Sequence, residues 1–495
     1  MMNRALDRNR APIFEALQAH ASRKTASFHV PGHKSGAGVD PASASFFTSI
    51  LSIDLTEITG LDDLHHPEGI IGEAQRLAAD CFGAEESYFL VGGSTVGNLT
   101  MITTLCEPGD LLLVQRNVHK SVINGLMLAG ASAVFLPTSY DAVSGTAIGV
   151  SIEDVAKGLG LYPEAKGLLV TNPNYYGMGV DLRRIAELLH RNGKPLLVDE
   201  AHGAHYGFHP SLPPSALACG ADVVVQSTHK MLTAMTMGAM LHVQGQLVNR
   251  NLLKNRLAML QSSSPSYPIM ASLDLARRNM HMNGFEIIEH GLLAVQIVIA
   301  QLDRQDCFGY MGQDADAEGH CWKDPFKISI YDKTGTLTGP QLQEALEEQG
   351  CFVEMSDLKY VLLLLTPAST REDAFRVIEA LGHISAFHGL ERIKESATPL
   401  APARMPSEIS VPIAFQLSYS MDLDAWGTIE LTIQEAVGKR SAEMVTPYPP
   451  GIPLLYPGER VTQAAADYLQ MLVGMGIRVH ATALGISGKL IVYNE

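Results

Sequence analysis

No CxxC pair occurs in this chain: its six cysteines stand far apart, at 81, 106, 219, 307, 321 and 351. That spacing offers no disulfide framework and fits a reducing cytoplasm, with most of the thiols acting as small core residues. Positive charge is short as well. Lys and Arg number 36 against 52 Asp and Glu, a net charge of −16, which argues against nucleic acid or an anionic membrane surface as partner. No run approaches a membrane-spanning length. The first ten residues, Met1 to Arg10, hold no apolar core of a signal peptide. No internal repeat period shows. These absences lead us to expect a cytoplasmic globular protein.

At 495 residues and 46% hydrophobic content, the chain is too long for one core and suggests two or three domains. Its 44 glycines suit many tight strand-to-helix turns. Residues 4–24 read as an amphipathic helix with Ile13, Phe14 and Leu17 on one side. From Ser87 onward the pattern alternates. Apolar strands are expected at Tyr88–Val91, Leu111–Val114, Ala133–Leu136, Gly167–Val170 and Pro195–Val198. Helices are expected between them, at Val96–Cys106, Val118–Ala129, Ile152–Leu159 and Leu182–Asn192. Strands apolar on both faces, alternating with helices, predict an α/β fold with a mostly parallel sheet. Residues 250–305 read as helical with a break at Ser262–Pro268. Residues 326–385 read as a smaller α+β unit, with strands at Lys327–Ile330, Phe352–Glu354 and Tyr360–Leu365. A Pro- and Ala-rich linker is expected at Ala397–Pro406. The expected division is an N-terminal helical segment (1–25), a large domain (26–305), a small α+β domain (306–395) and a C-terminal α+β domain (396–495).

One stretch organises the rest. The apolar run Ala221–Val225 leads into Gln226-Ser227-Thr228-His229-Lys230, and Gly238-Ala239-Met240-Leu241 follows. That pattern puts Lys230 on a turn between two buried strands. A lysine flanked by apolar chain has its ammonium disfavoured, and a neutral amine can form a Schiff base. A surface turn lysine is the plainer alternative. Against it, the buried strand before this one also ends in an acid, Asp199, and ligands gather at the carboxyl ends of parallel strands.

Other polar segments admit two readings each. Gly92-Gly93-Ser94-Thr95 closes a strand and opens a helix, so it makes either a phosphate cradle or an ordinary helix cap. His119 sits at a helix start, as a cap or as a flat group over a ring. The segment Phe28–Gly38, with His29, His33 and Lys34, lacks the spacing of a Walker loop. Leu61–Gly69 carries Asp62, Asp63, His65, His66 and Glu68 and could hold a metal, although a loop entering the helix after Glu73 accounts for it. Taken together, Ser94, Thr95, His119, Asp199 and Lys230 match the needs of a phosphorylated aldehyde cofactor. Such a group requires an amine, an anion cradle, an acid for its ring nitrogen and a cover for its ring.

The chain resembles the Orn/Lys/Arg decarboxylase family of fold type I pyridoxal-phosphate enzymes, in its short bacterial form. The resemblance is carried by Pro31–Lys34, Leu61–Gly69, Gly93–Asn98, Arg116–Ser121, Asp199–Gly203, Ser227–Lys230, Ser264–Tyr267, Tyr448–Pro453 and Pro457–Glu459. It implies an aspartate aminotransferase-like fold and pyridoxal 5'-phosphate as cofactor. Lys230 is then the Schiff-base lysine, Asp199 the partner of the ring nitrogen, and His119 the stacking residue. Ser94, Thr95, Ser227 and His229 surround the phosphate, Ala201 packs under the ring, and His202 completes the cofactor set. Lys230 or His229 returns a proton to the α-carbon after CO₂ leaves. The longer relatives carry an N-terminal wing domain that this sequence does not show. A homodimer is expected, with the Ser262–Tyr267 turn placed to complete a neighbour's site. Met237 stands where relatives often carry glutamine.

The implied activity is decarboxylation of a basic L-amino acid, arginine before lysine or ornithine, giving agmatine, cadaverine or putrescine. A basic side chain calls for an acid at the far end of its pocket. Glu354, Asp62 and Asp63 are the candidates, with Asp357 beside them. Three rivals stay open. They are another reaction of the same cofactor (transamination or side-chain lysis), a metal-dependent hydrolase built on Asp199, His202, His205 and His209 with His65 and His66, and a catalytically silent relative.

Overall fold

The computed structural model describes residues 6–23, 25–141, 143–312, 321–390, 408–415, 427–447 and 452–494. The expected linker at 397–406 and most of Tyr448–Pro453 lie outside these residues. The chain forms two compact units, each made from separated segments: residues 1–104 with 197–288, and residues 105–196 with 289–495.

The strands in chain order begin with β1 (Glu86–Leu90), β2 (Leu111–Gln115), β3 (Ser132–Leu136), β4 (Leu168–Thr171), β5 (Met178–Val180), β6 (Leu196–Asp199), β7 (Val223–Gln226) and β8 (Ala239–Val243). All but the short β5 fall where the alternating pattern places them. In the first unit the order is β1-β8-β7-β6. β6 and β7 run parallel, while β8 is antiparallel to both β7 and β1. β8 is the antiparallel member of this mostly parallel arrangement, joined to β7 by residues 227–238 without a full crossover helix. Two reversals restore the direction, so β1 points the same way as β6 and β7. Their carboxyl ends share one edge with the start of β8. Every residue of β7 and β8 is buried, which is why both read as continuous apolar runs.

In the second unit, β4 and β3 flank β2 in parallel, and β14 (Ile413–Ala414) adds an antiparallel edge to β3. β10 (Cys321–Lys323) pairs antiparallel with β5. A separate antiparallel sheet comprises β9 (Phe308–Tyr310), β11 (Lys327–Asp332), β12 (Met355–Ser356) and β13 (Val361–Leu364), in the order β12-β13-β11-β9. The sequence places a strand at 352–354; the pairing begins three residues later, at Met355. The helices Gly339–Glu348 and Arg371–His388 both start on capping boxes, from Thr338 and Thr370.

The N-terminal helix runs only Pro12–Ala21, shorter than the expected 4–24. Pro12 sits at its first turn and ends helical pairing upstream. Ile13 and Leu17 are fully buried. Helix Tyr267–Leu302 is long and apolar enough to cross a bilayer by composition, unlike the sequence expectation. Its polar groups are engaged inside the first unit, however. The buried Asp274 accepts from Ile13 N–H at 3.0 Å, and the buried Arg277 donates to Asp274 and to the carbonyls of Arg8 and Arg10.

The helix after β1 begins at Gly93, three residues earlier than expected, and runs to Leu105. Gly93 has φ +76°, a conformation that opens the turn without a Cβ penalty. Gly97 lies where a Cβ would come within 2.3 Å of Val225 Cγ2 and 3.1 Å of Leu90 Cδ1. This glycine lets the helix settle directly onto β1 and β7. Gly97→Ala should therefore lower stability by about 1–3 kcal/mol through overpacking, read as a fall in unfolding midpoint. An unchanged midpoint would show that the contact relaxes freely.

Candidate functional site

Polar groups converge at the shared edge of the first unit. Ser94 is in the first turn of helix Gly93–Leu105, and its Oγ accepts from Ser227 Oγ at 2.7 Å. Gly93 N–H donates to the carbonyl of Met237 at 2.8 Å, and Met237 holds a left-handed φ of +75°. Thr95, next in the helix, is exposed, whereas Ser227 is fully buried. Two hydroxyls and the amino end of a 13-residue helix form an electropositive cradle.

Asp199 ends β6 with its carboxylate buried. Oδ2 accepts from Asn98 Nδ2 at 2.7 Å, and Oδ1 accepts from Ala201 N–H at 3.1 Å. Asn98 is four residues beyond Ser94, on the same helix face. The helix that presents the hydroxyls therefore also fixes the acid. Ala201 is buried just beyond.

Lys230 lies in a one-turn helix, Thr228–Met231, rather than in an open turn. Its Nζ is 3.1 Å from His202 Nε2, which brings the end of β7 to the loop after β6. His229 places Nδ1 3.0 Å from the Gly238 carbonyl. A carbonyl only accepts, so Nδ1 carries the proton and Nε2 keeps its lone pair. Burial, with the Lys230 charge beside it, holds this imidazole below its ordinary range.

In the second unit, His119 caps helix Lys120–Ala129. Its Nδ1 accepts from Ser121 N–H at 3.2 Å and lies 2.8 Å from Ser121 Oγ. The same segment is anchored by Arg116, whose buried guanidinium donates to Glu459 at 2.8 Å and to the carbonyls of Pro453 and Leu454. It also lies 4.1 Å over the Tyr456 ring.

Residues 11–373 match the major domain of the Orn/Lys/Arg decarboxylases, and residues 424–479 match their C-terminal domain. An arginine decarboxylase of Bacillus subtilis is 36% identical over 96% of both chains. That of Bacillus anthracis is 38% identical over 96% of this chain and 95% of its own. The structure of the E. coli constitutive lysine decarboxylase superposes with a TM-score of 0.79 at 22% identity, covering 99% of this chain and 82% of that one. The chain belongs to the Orn/Lys/Arg decarboxylase family. It is a pyridoxal-phosphate-dependent decarboxylase of fold type I.

The residues of this decarboxylase suit that cofactor. The cradle at Ser94 and Ser227 fits an anion, the Lys230 amine an aldehyde, and the fixed Asp199 carboxylate a ring N–H. The rival metal site has no such support: among the described residues no group of three or more His, Cys, Asp or Glu could hold an ion.

The acids expected to meet a basic side chain are placed variously. Asp62 takes a left-handed φ of +66° and accepts from the N–H groups of Glu68, Gly69, Ile71 and Gly72. Its carboxylate thus covers the start of helix Ile70–Phe82. Asp63 accepts from His65 N–H. Glu354 is exposed in the second unit. The Ser262–Tyr267 turn is held within its own unit: Ser262 O lies 2.9 Å from His65 Nε2, and Tyr267 donates to the Asp62 carbonyl at 2.6 Å.

Sequence reasoning missed a buried polar chain behind Asp199. Glu200 accepts from Ala216 N–H and from Gln226 Nε2, both at 2.7 Å. Gln226 Oε1 lies 3.2 Å from His242 Nε2, and His242 Nδ1 lies 2.7 Å from Ser87 Oγ. The chain crosses β7, β8 and β1 and ties the strands beneath the site. Burial pushes the Glu200 carboxyl up to about 8. Its folded value exceeds the unfolded one of about 4.3. Glu200 therefore contributes stability that is full below about pH 4 and lost as pH rises through 8. The stability of wild type relative to Glu200→Gln should fall by on the order of several kcal/mol between pH 5 and 9, measured by chemical denaturation. A pH-independent difference would remove Glu200 as a titrating group.

Proposed function

We propose that this decarboxylase acts on a basic L-amino acid, arginine first, then lysine or ornithine, releasing agmatine, cadaverine or putrescine with CO₂. The observation that carries the reading is Lys230 Nζ held against His202 at the sheet edge where Asp199 is fixed by Asn98. The order of substrates follows the relatives. Those named arginine decarboxylase are 36–38% identical, while those named lysine decarboxylase are 25–27% identical. We further read the protein as a cytoplasmic homodimer that supplies amines for polyamine synthesis. Its six cysteines are all free thiols, in keeping with a reducing compartment.

Pyridoxal phosphate supplies an aldehyde for amines and a ring that takes up the electron pair left when the carboxylate departs. Lys230 would hold the aldehyde carbon, and Asp199 the ring nitrogen. Ser94, Thr95, Ser227 and His229 would hold the phosphate, with Ala201 beneath the ring. The covering role of His119 rests on the resemblance alone. Asn98 and Ala201 donate to separate oxygens of Asp199, which keeps that carboxylate an acceptor and fixes its plane. Lys230 Nζ lies 3.1 Å from His202 Nε2, so the two can share a proton. That amine can return the proton to the α-carbon. His229, with Nδ1 committed to Gly238, offers only Nε2 for the same task.

A product assay on purified enzyme with arginine, lysine and ornithine should yield amine and CO₂, with arginine favoured at least about tenfold in kcat/KM. Accumulation of a keto acid instead would point to transamination. Borohydride should fix the cofactor covalently to a single peptide containing Lys230, and Lys230→Ala should yield no adduct and no turnover. A reducible adduct at this site in Lys230→Ala would contradict the assignment.

A further inference from the structure

The second unit contains a cavity of about 170 Å³, room for roughly six waters at liquid density. Five tyrosines line it (Tyr140, Tyr175, Tyr176, Tyr360 and Tyr468), together with Asp357 and Lys359. The partly buried Asp357 carboxylate borders this space. Oδ1 accepts from Lys359 N–H at 2.7 Å and from Tyr360 N–H at 2.6 Å, and Oδ2 accepts from the Tyr176 hydroxyl. Among the described residues these three neutral donors fill three of its four lone-pair sites, leaving one on Oδ2. A carboxylate partly removed from water and met only by neutral donors gains from a cation at the remaining site.

The tyrosines point the same way. Neutral phenol rings present a negative face to cations. Burial, reinforced by the Asp357 charge, raises the Tyr176 hydroxyl well above its ordinary value and that of Tyr468 to about 12, so both stay protonated. The protein's own cation already uses this wall: Lys359 Nζ lies 4.8 Å from the ring centroid of the lining Tyr360.

We propose that this cavity binds a guanidinium on a short chain, with Asp357 as its charge partner and tyrosine rings as its walls. The choice of ligand class rests on the reading that the enzyme handles basic amino acids, arginine first, whose amine product carries this group.

Calorimetric titration of the holoenzyme with agmatine and with carbamoylputrescine tests it. The two differ only in a guanidinium against a neutral urea. Wild type should prefer agmatine at least tenfold, the lower end for a hydrogen bond to a charged group. Asp357→Asn, which keeps the shape, should lose that preference, weakening agmatine at least tenfold and the urea less than threefold. Lys359→Met, which removes the competing cation, should tighten agmatine at least threefold, an outcome that misfolding cannot produce. Equal affinity of wild type for both ligands overturns the proposal. So does agmatine binding by Asp357→Asn within threefold of wild type, or by Lys359→Met no tighter than wild type. Failure of the enzyme to decarboxylate any basic amino acid would sink the functional reading, while the titration still decides the cavity.

Discussion

The hydrogen bond from Asn98 to Asp199 joins two pieces of chain a hundred residues apart, and the first unit's chemistry depends on it. The helix carrying Asn98 also carries Ser94, so anion cradle and acid are set by one rigid element. That element can lie close enough only because Gly97 has no side chain to meet Val225. The bond is made between a neutral amide and a carboxylate, which fixes the acid without neutralising it. A lysine or arginine in the place of Asn98 would consume the negative charge that the site needs.

The second unit solves its own problem of burial around Arg116. A guanidinium removed from water is tolerated where Glu459, two backbone carbonyls and the Tyr456 ring all receive it. Tyr456 in turn donates to the Arg116 carbonyl at 2.6 Å. The pair therefore fastens the segment leading to His119 onto the C-terminal chain from both directions. Two stretches that carry the family resemblance, around Arg116 and around Glu459, are neighbours for this reason.

Much of the fold was legible in the sequence because buried strands advertise themselves. β2, β6, β7 and β8 are apolar at nearly every position, and no surface element reads that way. The positions of Lys230 and Asp199 were legible because Asp199 ends one such strand and Lys230 comes four residues after another. Asn98 was harder to see, since an amide inside an apolar helix looks like a core residue until its partner is known. Its only signal was the four-residue spacing from Ser94. Glu200 was hidden by Asp199 beside it: adjacent residues at a strand end point to opposite faces, so one acid meets the cradle and the other is buried behind it. Asp62 misled in the other direction. Its acidity suggests a ligand for a basic group, yet its carboxylate closes the start of a helix through four backbone amides.

The sequence by itself determined the alternation of elements, the strand-end positions of the lysine and the acid, and membership in a decarboxylase family. Each depends on local pattern or short spacing, which the linear order of residues records. Only the tertiary structure decided that β8 reverses, that Asn98 and not a cation holds Asp199, and that Asp357 and five tyrosines line one cavity. Those facts depend on which residues meet across long stretches of chain. Packing in three dimensions fixes such meetings, and no run of neighbouring residues encodes them.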